Sequence, residues 1–355
     1  MSGGREALEL RFHFGERDRD GDRPLDVAVM DACSRPGVWA AALLRGVEGF
    51  GGRQVVRTDR LLSLSEDAPL VAVAVGEGRT IEGLAAEVRA IAADGRLTLE
   101  EVDAVGGGAA ELAPTGTPTT TAAGVGMPVG GSPGDGGRDV VRATVWGPRS
   151  GSESPHLRAV DALHRHGADC ATVLLGVDGV LDGGRRRARF VASNRGVPAI
   201  TVAVGERGAI TAAVAELGAI ANLVTIEGVE PFFRREKERL HGSGPSGGAD
   251  EGTRVTLVTS EIARSGDHPL YLELIHSLRR GGAPGATALR GVWGFRGEAA
   301  PHGDRVLALR RDVPLIVETV DTAERSAGWL EIAESLSGAS DVVYSQRGLR
   351  ILTLD

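Results

Sequence analysis

Two nearly identical strings carry the residues best suited to anion chemistry. LRGVEGF spans Leu44 to Phe50 and LRGVWGF spans Leu289 to Phe295, 245 positions further on with one change. Gly46, Gly49, Gly51 and Gly52 have no side chain to keep a phosphate away from their backbone N–H groups, as in an anion-binding nest. Gly291 and Gly294 stand at the matching places in the second string. Arg45 and Arg290 would add charge-assisted hydrogen bonds. The same glycines suit a bulge or sharp turn where a strand leaves its sheet. The residues alone leave both readings open. The string is neither a dinucleotide-binding fingerprint nor a P-loop.

A second set of groups recurs at a fixed offset. Arg57, Arg186 and His302 each lie 12 residues before a proline, at Pro69, Pro198 and Pro314. All three suit a phosphate or carboxylate, but only histidine changes charge near neutrality. An exposed loop histidine is the plain alternative. GGRRRAR (Gly183 to Arg189) reads either as a grip for an anionic ligand or partner or as a solvated loop.

Other chemistry finds little support. His164 and His166 are two apart, so on a helix they do not share a face, and Cys170 falls beyond the helix end; zinc is not expected. No serine or cysteine nucleophile has an assignable base. Glu100 and Glu101 are expected to be solvated at a sheet edge. Acylphosphatases carry a superficially similar glycine-valine-phenylalanine-arginine string, but after the first strand rather than the second. The expectation is a protein that is not an enzyme.

What must position these groups is legible from composition and repetition. The chain has 355 residues, 42% hydrophobic but only 4% aromatic, so aliphatics and alanine pack its cores. A formal net charge of −8 argues against nucleic acid as partner. Lys237 is the only lysine, so a single arginine says little about function. Two cysteines, Cys33 and Cys170, make no disulfide framework and read as thiols in a reducing cytoplasm. No apolar run approaches the roughly 20 residues that span a bilayer.

Two stretches lack periodic apolar residues and read as linkers: residues 106–139, and residues 231–252, where the short charged helix FFRREKERL (Phe232 to Leu240) leads into GSGPSGGADEG. They leave blocks at 7–105, 140–230 and 253–354. Gly46-Val47-Glu48-Gly49 aligns with Gly176-Val177-Asp178-Gly179 and with Gly291-Val292-Trp293-Gly294. Pro69, Pro198 and Pro314 follow the second glycine by 20, 19 and 20 residues; Pro24, Pro155 and Pro269 precede the first by 22, 21 and 22. The spacing predicts one unit repeated three times.

In each block Leu8, Leu10, Phe12 and Phe14, or their counterparts, alternate with polar residues as in a half-buried strand. A proline opens a helix with Leu25, Ala28, Val29 and Ala32 on one face. Further helices are expected at Thr80–Ala93, Gly208–Ala221 and Ala323–Leu336. The order predicts an α+β fold of three ferredoxin-like βαββαβ domains, each with both helices on one sheet face. The uncovered faces suggest a ring within one chain, an intramolecular pseudo-trimer in a monomer. A linker of about 34 residues reaches roughly 30 Å, enough to join neighbours.

The chain resembles the PII-like family catalogued as domain of unknown function 190. The likeness is carried by GDRPLDVAVMDA (Gly21 to Ala32), LLRGVEGFG (Leu43 to Gly51), RLLSLSEDAPLVAVAV (Arg60 to Val75), DHPLYLELI (Asp267 to Ile275), GATALRGVWGFRG (Gly285 to Gly297) and HGDRVLALRRDVPLIVETVD (His302 to Asp321). The middle block is related but degraded: Leu175 replaces the arginine and Val180 the phenylalanine. Most members carry one copy, so three is a departure. The resemblance implies a cytoplasmic signalling protein that binds an adenine nucleotide in clefts between neighbouring units and regulates a protein partner, such as a membrane transporter or channel. It also puts a histidine commonly at the position of His302. The ligand-site expectation is Arg45, Gly46, Gly49, Gly51, Arg57, Arg290, Gly291, Gly294 and His302, with no cofactor beyond the nucleotide ligand and fewer than three working sites. The competing expectation is a ligand-independent structural or interaction module.

Overall fold

A computed structural model of the chain describes residues 7–58, 67–105, 138–149, 154–189, 194–218, 221–232, 251–303 and 312–354. Both expected linkers fall almost wholly outside these residues, as does the expected charged helix.

The first block runs β1 (Ala7–Gly15), a short hairpin β2 (Arg19–Asp20) and β3 (Arg23–Pro24), α1 (Leu25–Ala32), β4 (Val38–Arg45), β5 (Glu48–Phe50), β6 (Val56–Thr58), β7 (Pro69–Glu77), α2 (Gly78–Ile91) and β8 (Arg96–Val105). The second runs β9 (Val140–Pro148), α3 (Pro155–Arg165), β10 (Cys170–Leu181), β11 (Gly184–Arg187), β12 (Pro198–Glu206), α4 (Arg207–Leu217), β13 (Leu223–Gly228) and β14 (Glu230–Phe232). The third runs β15 (Glu251–Ser260), the hairpin β16 (Arg264–Ser265) and β17 (His268–Pro269), α5 (Leu270–Arg280), β18 (Ala286–Arg290), β19 (Trp293–Arg296), β20 (His302–Gly303), β21 (Pro314–Thr322), α6 (Ala323–Leu336) and β22 (Val342–Leu352). Among the described residues no helix is long and apolar enough to cross a membrane.

The strands do not form three separate sheets. Eighteen of them make one hydrogen-bonded sheet. Within it β4, β7, β1, β8, β13, β9, β12 and β10 pair antiparallel in that order, and β10 returns to β4, closing an eight-strand barrel. Of the described residues, 49% lie in strands and 26% in helices, so the architecture is mostly β. This corrects the expectation of three ferredoxin-like βαββαβ domains forming an intramolecular pseudo-trimer. The physical reason lies just past the paired glycines. There each block's chain continues as a strand that pairs with a neighbouring block: β5 with β18, the end of β10 with β4, and β19 with β10. Backbone hydrogen bonding, rather than face packing between finished domains, joins the blocks.

Side-chain alternation then builds two kinds of core. Leu8, Leu10, Phe12 and Phe14 point toward α1 and α2, where Leu25, Val29, Ile81 and Leu84 meet them. The other two blocks bury their helices in the same way. The opposite faces share one interior core, in which Ala42, Val73, Trp146, Val202, Ile316 and Tyr344 come together from all three blocks. The polar residues of β1 point into this interior and not to solvent. Glu9 is 0% exposed and Arg11 2%, so β1 is buried on both faces rather than half-buried.

Candidate ligand cleft

The repeated string is explained first by the approach of backbones. A Cβ on Gly46 would lie 2.9 Å from the Ala288 carbonyl oxygen, and one on Gly49 would lie 2.7 Å from that of Ala286. Gly179 and Gly294 would meet the Ala41 and Ala171 oxygens closer still, and Gly291 the Pro314 oxygen at 2.9 Å. Each glycine thus admits a neighbouring strand or its own partner strand. The N–H groups of Val47 and Val292 donate to Ala288 and Val173 across the block junctions, at 2.8 and 2.9 Å. The arginines of the string are engaged likewise. Arg45 bonds Glu16 at 2.9 Å and Arg290 bonds Glu261 at 2.6 Å.

An open cleft lies where the first block meets the third. Its volume is about 690 Å³, part of it open to solvent. The first block supplies His13 and Phe14 from the end of β1, Asp18, the turn Phe50-Gly51-Gly52 after β5, Arg57 from β6 and the turn Asp94-Gly95-Arg96. The third supplies Gly285 to Thr287 at the start of β18 and Glu318 to Val320 from β21. Arg57 reaches the cleft because residue 15 is glycine: a Cβ there would overlap its guanidinium. Asp18 takes that guanidinium with both oxygens, at 3.2 and 3.3 Å, and Asp67 lies 3.4 Å from Nε.

The far wall is polar and mostly dry. His13 Nδ1 lies 3.2 Å from Thr287 Oγ1, and its Nε2 is 3.6 Å from Glu318 with no hydrogen-bond partner. Burial pushes the His13 pKa down to about 4, against the pull of Glu318, so the ring is neutral at pH 7. Burial opposes ionisation of Glu318, but Arg11 and His13 outweigh it and bring that carboxyl to about 2. Arg96 is lowered by burial yet remains a cation. The cleft therefore offers the guanidinium groups of Arg57 and Arg96, the Thr287 hydroxyl, the Asp18, Asp94 and Glu318 carboxylates, and the apolar faces of Phe14, Phe50 and Pro69.

The corresponding junctions carry other residues. By register, the equivalent residues Phe50, Val180 and Phe295 face Ala286, Ala41 and Ala171. The residue preceding each partner is Gly285, Ala40 or Cys170. Trp39 and Leu181 pack onto the interior core at the second junction. At the third, Arg296 bonds Asp341 at 2.8 Å and the Gly297 N–H donates to Asp169 at 2.8 Å. Glycine at 285 stands where the other two junctions carry the side chains of Ala40 and Cys170.

Of the nine expected site residues, the cleft lining includes Gly51 and Arg57. Arg45, Gly46, Gly49, Arg290, Gly291 and Gly294 lie along the strand crossings. His302 sits on β20, its Nδ1 2.9 Å from the Ala300 oxygen and its Nε2 3.7 Å from Asp312. The basic string at 183–189 clamps α1: Arg185 bonds Asp31 and Asp178, and Arg187 bonds Asp26 at 2.9 Å. His164, His166 and Cys170 diverge, toward Phe295, Glu216 and the interior core. Glu100, expected in solvent, is 5% exposed, while Glu101 is exposed. The sequence reading missed His13, Thr287 and Glu318. The available signal was a histidine, a threonine and a glutamate on the faces of strands read as polar and solvated.

A family model described as uncharacterized ACR, domain of unknown function 190, matches residues 7–104 and 252–346, just over half of the chain. Among solved structures, the aspartate kinase from Synechocystis has a TM-score of 0.28 at 8% identity, over 96% of this chain and 43% of that one. The chain thus spans less than half the length of that kinase. An anthrone oxidase-like protein has a TM-score of 0.18 at 15% identity, over 63% of this chain and 93% of that one. At such scores neither likeness bears on fold or activity.

Proposed function

Because this chain belongs to the family of domain of unknown function 190, we propose that it is a PII-like regulatory protein. In this reading it carries three tandem copies of the family unit and binds an adenine nucleotide in the cleft between the first and third blocks. Ligand occupancy biases the activity of a protein partner, and a membrane transporter or channel is the class the resemblance implies. The three-copy reading draws support from the middle block, which runs through the same order of strands and helices and crosses to its neighbour at Gly176 and Gly179.

One observation carries the ligand reading: the polarity of the cleft. Arg57, Arg96 and the backbone of Gly51 and Gly52 suit a phosphate chain. Thr287 and Glu318 suit hydrogen-bond donors on a base, and Phe14, Phe50 and Pro69 suit its flat apolar faces. Asp18 holds Arg57 until a stronger anion replaces it. With the arginine and phenylalanine of the string replaced in the middle block by Leu175 and Val180, fewer than three sites per chain are expected.

Thermal unfolding with ATP, ADP, AMP and cyclic nucleotides tests this, followed by calorimetry on the best ligand. A ligand at 100 times its Kd adds about 2.7 kcal/mol. Arg57→Ala should weaken binding at least tenfold while leaving the unliganded melting temperature within a few degrees. If no nucleotide raises the melting temperature at millimolar concentration, the cleft is not a nucleotide site. The protein is then better read as a structural or interaction module.

A further inference from the structure

The interior shared by the three blocks contains a connected set of charged side chains, of which Glu318 alone also lines the cleft. Arg11 bonds Glu9 at 2.8 Å and Glu318 at 3.2 Å, and its Nε lies 3.8 Å from Glu100. Arg142 bonds Glu227 and lies 3.9 Å from Glu9. Arg254 bonds Glu100 at 3.0 Å and Gln346 at 2.9 Å, and Gln346 also bonds Glu100. None of these side chains is more than 7% exposed. The set spans all three blocks, with members on β1, β8, β9, β13, β15, β21 and β22.

Its charges do not balance. Four carboxyls, of Glu9, Glu100, Glu227 and Glu318, face three guanidiniums, of Arg11, Arg142 and Arg254. His13 beside Glu318 is neutral at pH 7, and Tyr344, pushed up to about 12 by burial, is also uncharged. Arg96, opposite His13 across β1 and β8, is only partly buried and lies outside the bonded set; Asp321, which attracts it, is paired with Arg325 at 3.2 Å. From β4, β7, β10 and β12 the interior receives apolar residues and Cys170, a thiol likewise pushed up to about 12 by burial. A buried net charge of −1 in such surroundings is costly enough to shift a proton equilibrium. The groups are also incompletely bonded, since Glu9 Oε2, Glu227 Oε2, Arg11 Nη2 and Arg254 Nε have no hydrogen-bond partner. Glu9 and Glu100 stand directly opposite each other on β1 and β8, an arrangement in which two carboxyls share a proton rather than both ionise.

We propose that this interior network holds one exchangeable proton in the folded protein at neutral pH, and that its loss at higher pH loosens the joint between the three blocks. Burial raises Glu100 above the usual carboxylate range, and it pushes Glu227 up to about 8. Burial also opposes ionisation of Glu9, but Arg11 and Arg142 outweigh it and hold that group low. The proton therefore resides on Glu100 or Glu227, and the pair titrates as part of a network rather than as independent sites. The sign follows from linkage. A raised carboxyl binds its proton in the folded chain and not in the unfolded chain between pH of roughly 4.5 and 8. Its stabilisation is full below that window and is lost as pH rises through it.

Denaturant unfolding of the full chain from pH 5 to 9, at constant ionic strength, reads this directly. Relative to Glu227→Gln and Glu100→Gln, the wild-type unfolding constant should rise by up to tenfold per pH unit within the window. Either amide makes three carboxylates face three guanidiniums and removes the need for the proton. Infrared spectroscopy of the wild type at pH 7 should show a buried protonated-carboxyl band that disappears by pH 9, which requires no variant to fold. Wild-type pH dependence retained in both variants, or no acid band at pH 7, overturns the proposal. So does stabilisation by added Na⁺ or K⁺ in place of the pH effect, which would put a metal cation where we place the proton.

Discussion

Glycine-to-alanine substitutions at the strand crossings decide between the two readings of the repeated string. At Gly49 the new methyl would sit 2.7 Å from the Ala286 oxygen and 3.1 Å from the Pro69 ring. At Gly179 it would press against the Ala41 oxygen and lie 2.6 Å from Pro198 Cγ. At Gly294 the approach to the Ala171 oxygen is the closest of the three, with Pro314 Cγ at 2.9 Å. The obstacles are backbone and proline rings, which cannot rotate away, so the paired strands must part. Overpacking of this kind costs about 1–3 kcal/mol, and each cross-strand hydrogen bond lost adds about 1 kcal/mol. The expected losses are about 1–2 kcal/mol for Gly49→Ala, 2–3 kcal/mol for Gly179→Ala and above 3 kcal/mol for Gly294→Ala. Gly208→Ala in α4, where the methyl meets nothing within 4 Å, is the control and should be neutral or stabilising by up to about 1 kcal/mol. Urea unfolding without ligand measures all four. Crossing variants within about 0.5 kcal/mol of wild type would refute the packing argument. Altered nucleotide affinity without loss of stability would then favour an anion nest.

Two further outcomes follow from buried charge and buried histidine. Arg254→Met leaves Glu100 without its guanidinium in the interior and should cost about 3–5 kcal/mol in denaturant unfolding; Arg187→Met, whose side chain is 55% exposed beside Asp26, should cost under about 1 kcal/mol. Burial depresses His156 from 6.5 to about 4, so the unfolded chain binds the extra proton between those values and stability is lost as pH falls through them. His156→Gln, which can keep a hydrogen bond to Thr201, should flatten that acid limb by up to about 1.4 kcal/mol per pH unit.

The order of elements along each block was legible because local signals set it. Prolines 24, 155 and 269 start helices, and Pro69, Pro198 and Pro314 open strands β7, β12 and β21. Long-range pairing was not legible. No local pattern says that Phe50 will face Ala286, 236 positions away, and that pairing turns separate sheets into one. The same gap hid the interior network. Glu9 and Arg11 look like the wet face of a strand until the barrel closes over them, and Glu100 beside Glu101 looks like a solvated pair. The string itself was visible, but its arginines point to Glu16 and Glu261, partners some 29 residues upstream that spacing gave no reason to connect. Arg57 was legible as a cleft residue through its offset from Pro69. Its seat was not, since that depends on a bare Gly15 on another strand.

The middle block shows which constraints are separable. It has Leu175 where the others have Arg45 and Arg290, and its hairpin carries Arg185 and Arg187, which bond acidic residues of α1. At its junction Trp39 and Leu181 pack against the interior core. The family model passes over this block, matching only the first and third. Yet Gly176, Gly179 and Pro198 remain, and so do Arg142 and Glu227 in the interior. The retained residues keep strands in register and carry the block's share of the buried charge; of the replaced ones, Leu175 is partly exposed and Val180 joins the core of the first block. Register tolerates little change because a one-residue slip would turn Arg142 out of the interior and an apolar neighbour into it. Surface chemistry has no such coupling. A block can therefore change its surface chemistry while remaining indispensable to the barrel, since removing β9, β10, β12 and β13 would leave β4 without β10 and β8 without β13.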